Sequence, residues 1–408
     1  MAPPGFAPPS YSHDRIPTRL VNKEHPPEGT DTNGRAYFIF FSYLGLAVSL
    51  TTLIVLRIFK SYSILLNSTT AQIPSKKHVR MFVALAIWSV LMVWYYEMRY
   101  FSVSYKSWMM WRSYYDLTPD QMHWGLWLKE TSLFKEAWET AVVGNARYWW
   151  TNQIFFFACG LGLSLEQRGK MPLENVALRL TTLGIRRGIK HTWAFMLLGQ
   201  VCSVSFATNL YLIALLVSPP PPPSPSSVGI YRRKWLGPWL MSLLMIIFTE
   251  GPAYLLADEH YWFHQTDFLP MIVTPHVALL VLPIARALLP GKFFTDSSVE
   301  FAGTVYTYLW SATIFGGGLL IGRMTALSYA FSGFRGIWDA LLENPAVSSI
   351  AFDVIFCWVT WAAWLSIQKR SEGDVLGFNE DEDEKADDWA AGSTRVASAG
   401  DESGVRRR

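Results

Sequence analysis

Charge is what this chain has least of: 16% of its 408 residues are Asp, Glu, Lys or Arg, while 51% are hydrophobic and 15% aromatic. With a mean hydropathy of +0.18, that balance excludes a disordered, collagenous or nucleic-acid-binding protein and leaves an integral membrane protein. Cysteine is almost as scarce. Cys159, Cys202 and Cys357 all fall in apolar segments, with neither the number nor the placement of a disulfide framework or zinc site, and read as small buried apolar residues. Walker, H-E-x-x-H and G-x-S-x-G sequences are all missing, so nucleotide hydrolysis and the common hydrolase chemistries have no support.

Long apolar runs are plentiful. A membrane span needs roughly 20 mostly apolar residues, and such runs lie at 37–58, 81–101, 148–165, 192–217, 236–257, 268–289, 302–322 and 347–367. The expected fold class is therefore all-α: a polytopic membrane bundle of about eight transmembrane helices. The net charge of +3 conceals an acidic tail, because residues 371–408 carry 11 acids against 5 bases and leave a basic body. Loop Lys and Arg are too evenly divided to orient the bundle.

Three domains follow: an N-terminal tail at 1–36 and an acidic tail at 371–408, both expected to be disordered, around a transmembrane bundle at 37–370. Pro219 to Pro223 anchor an extended connector at 218–230. Asn67-Ser68-Thr69 fits the glycosylation sequon close to the end of the first span. Between the second and third spans, Thr118-Pro119-Asp120-Gln121 reads as a capping box, which predicts one interfacial helix over 118–144. Its stripe of Leu133, Phe134, Ala137, Trp138, Ala141 and Val142 opposes Lys135, Glu136 and Glu139, as in a helix lying in the interface. Glu130 falls on the apolar stripe, where it either reaches back to water or points into a site.

Ionisable groups inside spans are costly and mark candidate chemistry. Glu250 stands in Thr249-Glu250-Gly251-Pro252, where proline frees a carbonyl four residues earlier and predicts a kink with a polar pocket. A desolvated carboxyl there suits a general acid, or merely satisfies the kinked backbone. Asp353 shares a helical face with Ser349, Cys357 and Thr360, which must look into the bundle. Cys202, Ser205 and Asn209 make a comparable stripe, with Gln200 adding an amide; interhelical hydrogen bonding explains such residues as well as substrate contact does. Glu97 and Arg99, among Trp94, Tyr95, Tyr96 and Tyr100, read as an aromatic belt, as do Arg147, Tyr148, Trp149 and Trp150. The aromatic content exceeds what belts require, and aromatic faces can stabilise a carbocation.

Metal chemistry finds little to use. Asp258-Glu259-His260 with His264 and Asp267 matches no defined motif and reads as a solvated loop. Asp116 and Asp120 have D-x-x-x-D spacing but lack a second acidic motif, so a magnesium-diphosphate site is not expected. No metal or cofactor is assigned.

Lys129-Glu130-Thr131-Ser132-Leu133-Phe134-Lys135-Glu136-Ala137-Trp138, Arg147-Tyr148-Trp149-Trp150-Thr151-Asn152-Gln153, Trp193-Ala194-Phe195-Met196-Leu197-Leu198-Gly199-Gln200 and Ser205-Phe206-Ala207-Thr208-Asn209-Leu210 are distinctive phrases. Through them the chain resembles the fungal membrane-bound terpene cyclases of ascochlorin and ascofuranone biosynthesis, by phrase over residues 118–217 and by span number over the body. The resemblance implies metal-independent cyclisation: a terminal epoxide on a farnesylated aromatic polyketide is protonated, opens to a cation, and is captured by an alkene or an internal hydroxyl. It implies an isoprenoid small molecule and membrane lipid as partners, without nucleic acid, an endoplasmic-reticulum membrane as location, and association with other membrane enzymes of the pathway.

By burial physics Glu250 or Asp353 would donate the proton, and the other acid or Glu136 would accept one. Glu130, Arg147, Gln153, Gln200 and Asn209 join them as substrate-binding candidates because they sit in the resembling phrases. A transporter or channel for a small amphiphile, with the same carboxyls as a proton relay, is the rival reading, weakened by the want of internal repeats. An assembly factor of the endoplasmic reticulum is a third, in which the buried acids could be neutralised without loss.

Overall fold

The computed structural model describes residues 33–66, 76–114, 122–166, 189, 191–218, 239–258, 266–288 and 299–370. The sequon at Asn67, the capping box with Asp116, the proline connector, Glu259, His260, His264 and the acidic tail lie outside them, as does all but the end of the N-terminal tail. Among the described residues the architecture is wholly helical. In chain order the helices are α1 (Gly34–Leu66), α2 (Lys76–Tyr114), α3 (Trp124–Glu130), α4 (Leu133–Val142), α5 (Asn145–Thr151) and α6 (Gln153–Glu166). They continue as α7 (Thr192–Val201), α8 (Val204–Val217), α9 (Trp239–Leu255), α10 (Phe268–Leu288), α11 (Val299–Glu343) and α12 (Pro345–Arg370).

Five stretches are long and apolar enough to cross a membrane: Gly34–Leu66, Lys76–Ser113, Phe268–Ala285, Thr304–Glu343 and Pro345–Ile367. The shorter apolar helices α7, α8 and α9 fall below that length. The run at 192–217, expected as one helix, is two. It breaks because Ser203 adopts extended backbone (φ −174°, ψ 134°) and caps α8, its hydroxyl accepting from the Phe206 N–H. The segment 118–144 is likewise two helices over its described part: α3 ends at Glu130, Thr131 and Ser132 are non-helical, and α4 starts at Leu133. In the other direction, α11 runs well past the expected end at 322. Arg323 does not stop it, being a good helix former; its guanidinium lies 4.6 Å over the Tyr254 ring and Nη1 donates to the Tyr254 carbonyl, 3.0 Å away at the C-terminal end of α9. Gly333 interrupts α11 with φ 63° and ψ 177°, a backbone that only glycine adopts without strain.

The core sits around α8, every residue of which is buried. A helix apolar on all sides belongs in the middle of a bundle, and α8 packs against α1, α2, α7 and α12. Trp310, Trp364, Tyr148, Tyr211 and Tyr306 are among the largest fully buried side chains. The outer face of α1, by contrast, exposes Phe38, Phe41, Val48, Leu56 and Phe59, which suits contact with lipid rather than water.

Candidate active site

The helix break at 202–203 builds one wall of a cavity of about 870 Å³. Its lining comes from the N-terminal part of α1, the middle of α2, α3 and α4, the C-terminal end of α7, the break itself, and residues of α6, α10 and α12. Tyr43, Trp94, Tyr100, Phe101, Phe134, Trp138 and Phe155 make the wall aromatic, and Glu97, Gln200, His276, Ser349 and Asp353 are among the polar groups set into it. The ring walls are held in place. Trp94 Nε1 donates to Cys202 Sγ at 2.9 Å, and Tyr43 OH donates to the Val201 carbonyl at 2.8 Å. Trp138 stacks on Phe155 with centroids 5.5 Å apart.

Asp353 closes the break. Its Oδ1 accepts from the Ser203 hydroxyl and the Ser205 N–H, and its Oδ2 from the Val204 N–H, each at 2.8 Å. The first-turn N–H groups of a helix have no partner within it, and the helix dipole favours negative charge there, so the side chain completes α8 as an anion would. Asp353, one of the two expected proton donors, thus lines the cavity with both oxygens engaged as acceptors.

Glu97 has the freer carboxyl. The Ser349 hydroxyl lies 3.1 Å from the Val93 carbonyl and 3.4 Å from Glu97 Oε2. One hydroxyl hydrogen cannot serve both, and the shorter, carbonyl-directed contact takes it. A proton on Glu97 would satisfy the set by donating to Ser349 Oγ. Ser349 stands four residues before Asp353 on α12, so the hydroxyl beside Glu97 and the second acid of the wall share one helical face. On the other side, His276 Nδ1 is hydrogen-bonded to Gln200 Oε1, while the ring meets Phe134 and Trp138 edge-on at 5.5 and 5.8 Å.

No protein-family model, curated protein or solved structure matches the chain. The site's chemistry therefore rests on its own residues.

Of the catalytic and substrate-binding candidates named from the sequence, the cavity lining includes Asp353 and Gln200. The others lie elsewhere in the bundle. Glu250, on α9, packs against α11 so closely that a Cβ at Gly316 would overlap its Oε2; it is not among the cavity-lining residues. Glu130 neither reaches water nor enters the cavity. Its carboxylate pairs with the Arg112 guanidinium and accepts from Trp108 Nε1 at 2.9 Å, clamping α3 to the end of α2 with a side chain only 1% exposed. Glu136 accepts from the Ser132 N–H at 2.9 Å at the start of α4, and burial raises its pKa above the ordinary glutamate value against the lowering effects of that hydrogen bond and of Lys135.

Arg147 pairs with Glu343 at the end of α11, its Nε 2.9 Å from Oε2. Gln153 Oε1 accepts from Trp358 Nε1 at 2.8 Å. Asn209 Nδ2 donates to the Ser205 carbonyl and to Thr360 Oγ1, both at 2.9 Å, tying α8 to α12. These three serve interhelical contacts, the bland alternative for polar groups inside a membrane bundle.

Two cavity groups escaped the sequence reading. In the sequence Glu97 reads as part of an aromatic belt, and His276 belongs to no recognisable motif. Both carried a usable signal, an ionisable side chain within an apolar stretch; for His276 it is sharpened by Pro275, which frees a carbonyl one turn back.

Proposed function

We propose that the chain is a membrane-bound cyclase that protonates and closes a terminal epoxide on a farnesylated aromatic polyketide, as the ascochlorin and ascofuranone cyclases it resembles do. It works as an eight-pass enzyme of the endoplasmic reticulum, with α7 and α8 together, α9, and α5 with α6 completing the crossings made by the five longer helices. The observation that carries the reading is Glu97 on the wall of an aromatic cavity, with its second acid already committed as an acceptor. A volume of about 870 Å³ falls within the range of roughly 300–1,000 Å³ typical of sites that enclose a small molecule.

In this reading protonated Glu97 gives its proton to the epoxide oxygen as the tertiary C–O bond breaks. The resulting cation is shielded by the faces of Trp94, Tyr100, Phe101 and Phe155. An alkene or hydroxyl of the same molecule supplies the electron pair of the new bond, and the proton then lost returns to the Glu97 carboxylate. Nothing is added or removed, so the product is an isomer. Asp353 acts as a fixed negative charge that favours the cation, and His276 with Gln200 shapes the opposite wall.

Membranes expressing the chain should convert a farnesylated-phenol terminal epoxide to an isomer of unchanged mass, with or without a chelator, as read by mass spectrometry. Glu97→Gln should lower turnover by about 10²-fold or more while the protein keeps its elution profile in detergent. Unchanged turnover in that variant would overturn the assignment, and the absence of any isomer from folded protein would count against the activity itself.

A further inference from the structure

The cavity has two chemically different ends. Glu97 and Asp353 are the acids of its lining; Asp353, on α12, is hydrogen-bonded to the start of α8, and Glu97 lies beside Ser349 of α12. At the other end stand Arg35, near the start of α1, and Lys129, at the end of α3. Both are exposed and yet line the cavity, which places them at its mouth. Neither carries an ion pair among the described residues, in contrast to Arg112, Lys135, Arg147 and Arg335.

Two unpaired cations from separate helices, facing an apolar and aromatic interior, suit an amphiphile whose head is negative and whose chain lies inward. Lysine and arginine keep long stems against apolar surface while presenting their charge at its edge, so the mouth can hold an anion without drawing it among the rings.

We infer that Arg35 and Lys129 form a headgroup subsite that selects isoprenoid amphiphiles carrying an anionic ring substituent, a carboxylate or an acidic phenol. The inference rests on the cyclase reading for its substrate class, but binding can be measured without turnover. The subsite orients the molecule with its ring at the mouth and the far end of its chain toward Glu97.

The test uses the full chain in phosphatidylcholine nanodiscs and follows tryptophan quenching by 3-farnesyl-4-hydroxybenzoic acid and by its methyl ester, neither of which has an epoxide to react. The acid should bind about fivefold tighter than the ester or better, the worth of one or two solvent-exposed charge pairs, and the preference should vanish in the Arg35→Gln/Lys129→Gln double variant while ester affinity stays the same. Equal affinities in the native chain, or a preference that survives both substitutions, would overturn the proposal. So would loss of the preference on adding phosphatidylserine to the discs, because the cations would then serve lipid headgroups. Selective binding of the acid without cyclisation of any epoxide would remove the cyclase reading alone; cyclisation with no preference for the acid would remove the headgroup subsite alone.

Discussion

Asp353 and Ser203, 150 residues apart, meet through a 2.8 Å hydrogen bond from hydroxyl to carboxylate, and the same carboxylate takes the two following N–H groups of α8. The acid is thus a cap supplied in trans by α12. It makes the helix break at 202–203 stable inside an apolar bundle, where unpaired backbone groups cost several kcal/mol. The break in turn gives the cavity the Cys202 and Ser203 part of its wall.

Removing that cap should cost stability before it costs chemistry. Ser203→Ala deletes the cap within α8 and should destabilise by about 1 kcal/mol. Asp353→Ala leaves the Val204 and Ser205 N–H groups unanswered and should cost about 3 kcal/mol or more. Thermal unfolding in detergent, followed by tryptophan fluorescence, would read both. An Asp353→Ala protein as stable as the native one would show that the break does not depend on the carboxylate.

Glu250 should behave as a packing residue. Because a Cβ at Gly316 would collide with its carboxylate oxygen, the movable end of a flexible side chain, Gly316→Ala alone should destabilise by no more than about 1 kcal/mol. Combined with Glu250→Ala, the same change should cost much less, a coupling that a double-mutant cycle isolates. Additive effects would mean that the two side chains do not meet.

Helix and burial were legible in the sequence to the extent that hydrophobicity alone decides them. Apolar runs located α1, α2, α10 and α12, and the face shared by Ser349, Asp353, Cys357 and Thr360 is buried as its spacing required. What the sequence could not display were the breaks. The cap at Ser203 is specified by an acid on a helix 150 residues away, and the place where Arg323 docks by a ring and a carbonyl on α9. The candidate site was read only in part for the same reason. Burial cost flags Glu97, Glu250, His276 and Asp353 alike, and only packing separates a carboxyl facing a cavity from one wedged against Gly316. The interfacial segment shows the limit again: Glu130 sits on the apolar stripe because its partner, Arg112, lies across from it on α2.

The three thiols offer a direct probe of the cavity in the intact protein. Cys159 and Cys357 are fully buried, whereas Cys202 is only partly buried and stands on the cavity wall. A small uncharged thiol reagent such as methyl methanethiosulfonate should therefore modify one cysteine in the folded chain and all three after denaturation, with mass spectrometry placing the first label at Cys202. The indole of Trp94 donates to that sulfur and so favours the reactive thiolate, and Trp94→Phe should slow the labelling. A farnesylated phenol that fills the cavity should slow it in proportion to occupancy. Labelling that begins at Cys159 or Cys357, or that a bound amphiphile leaves untouched, would place the occupied space elsewhere in the bundle.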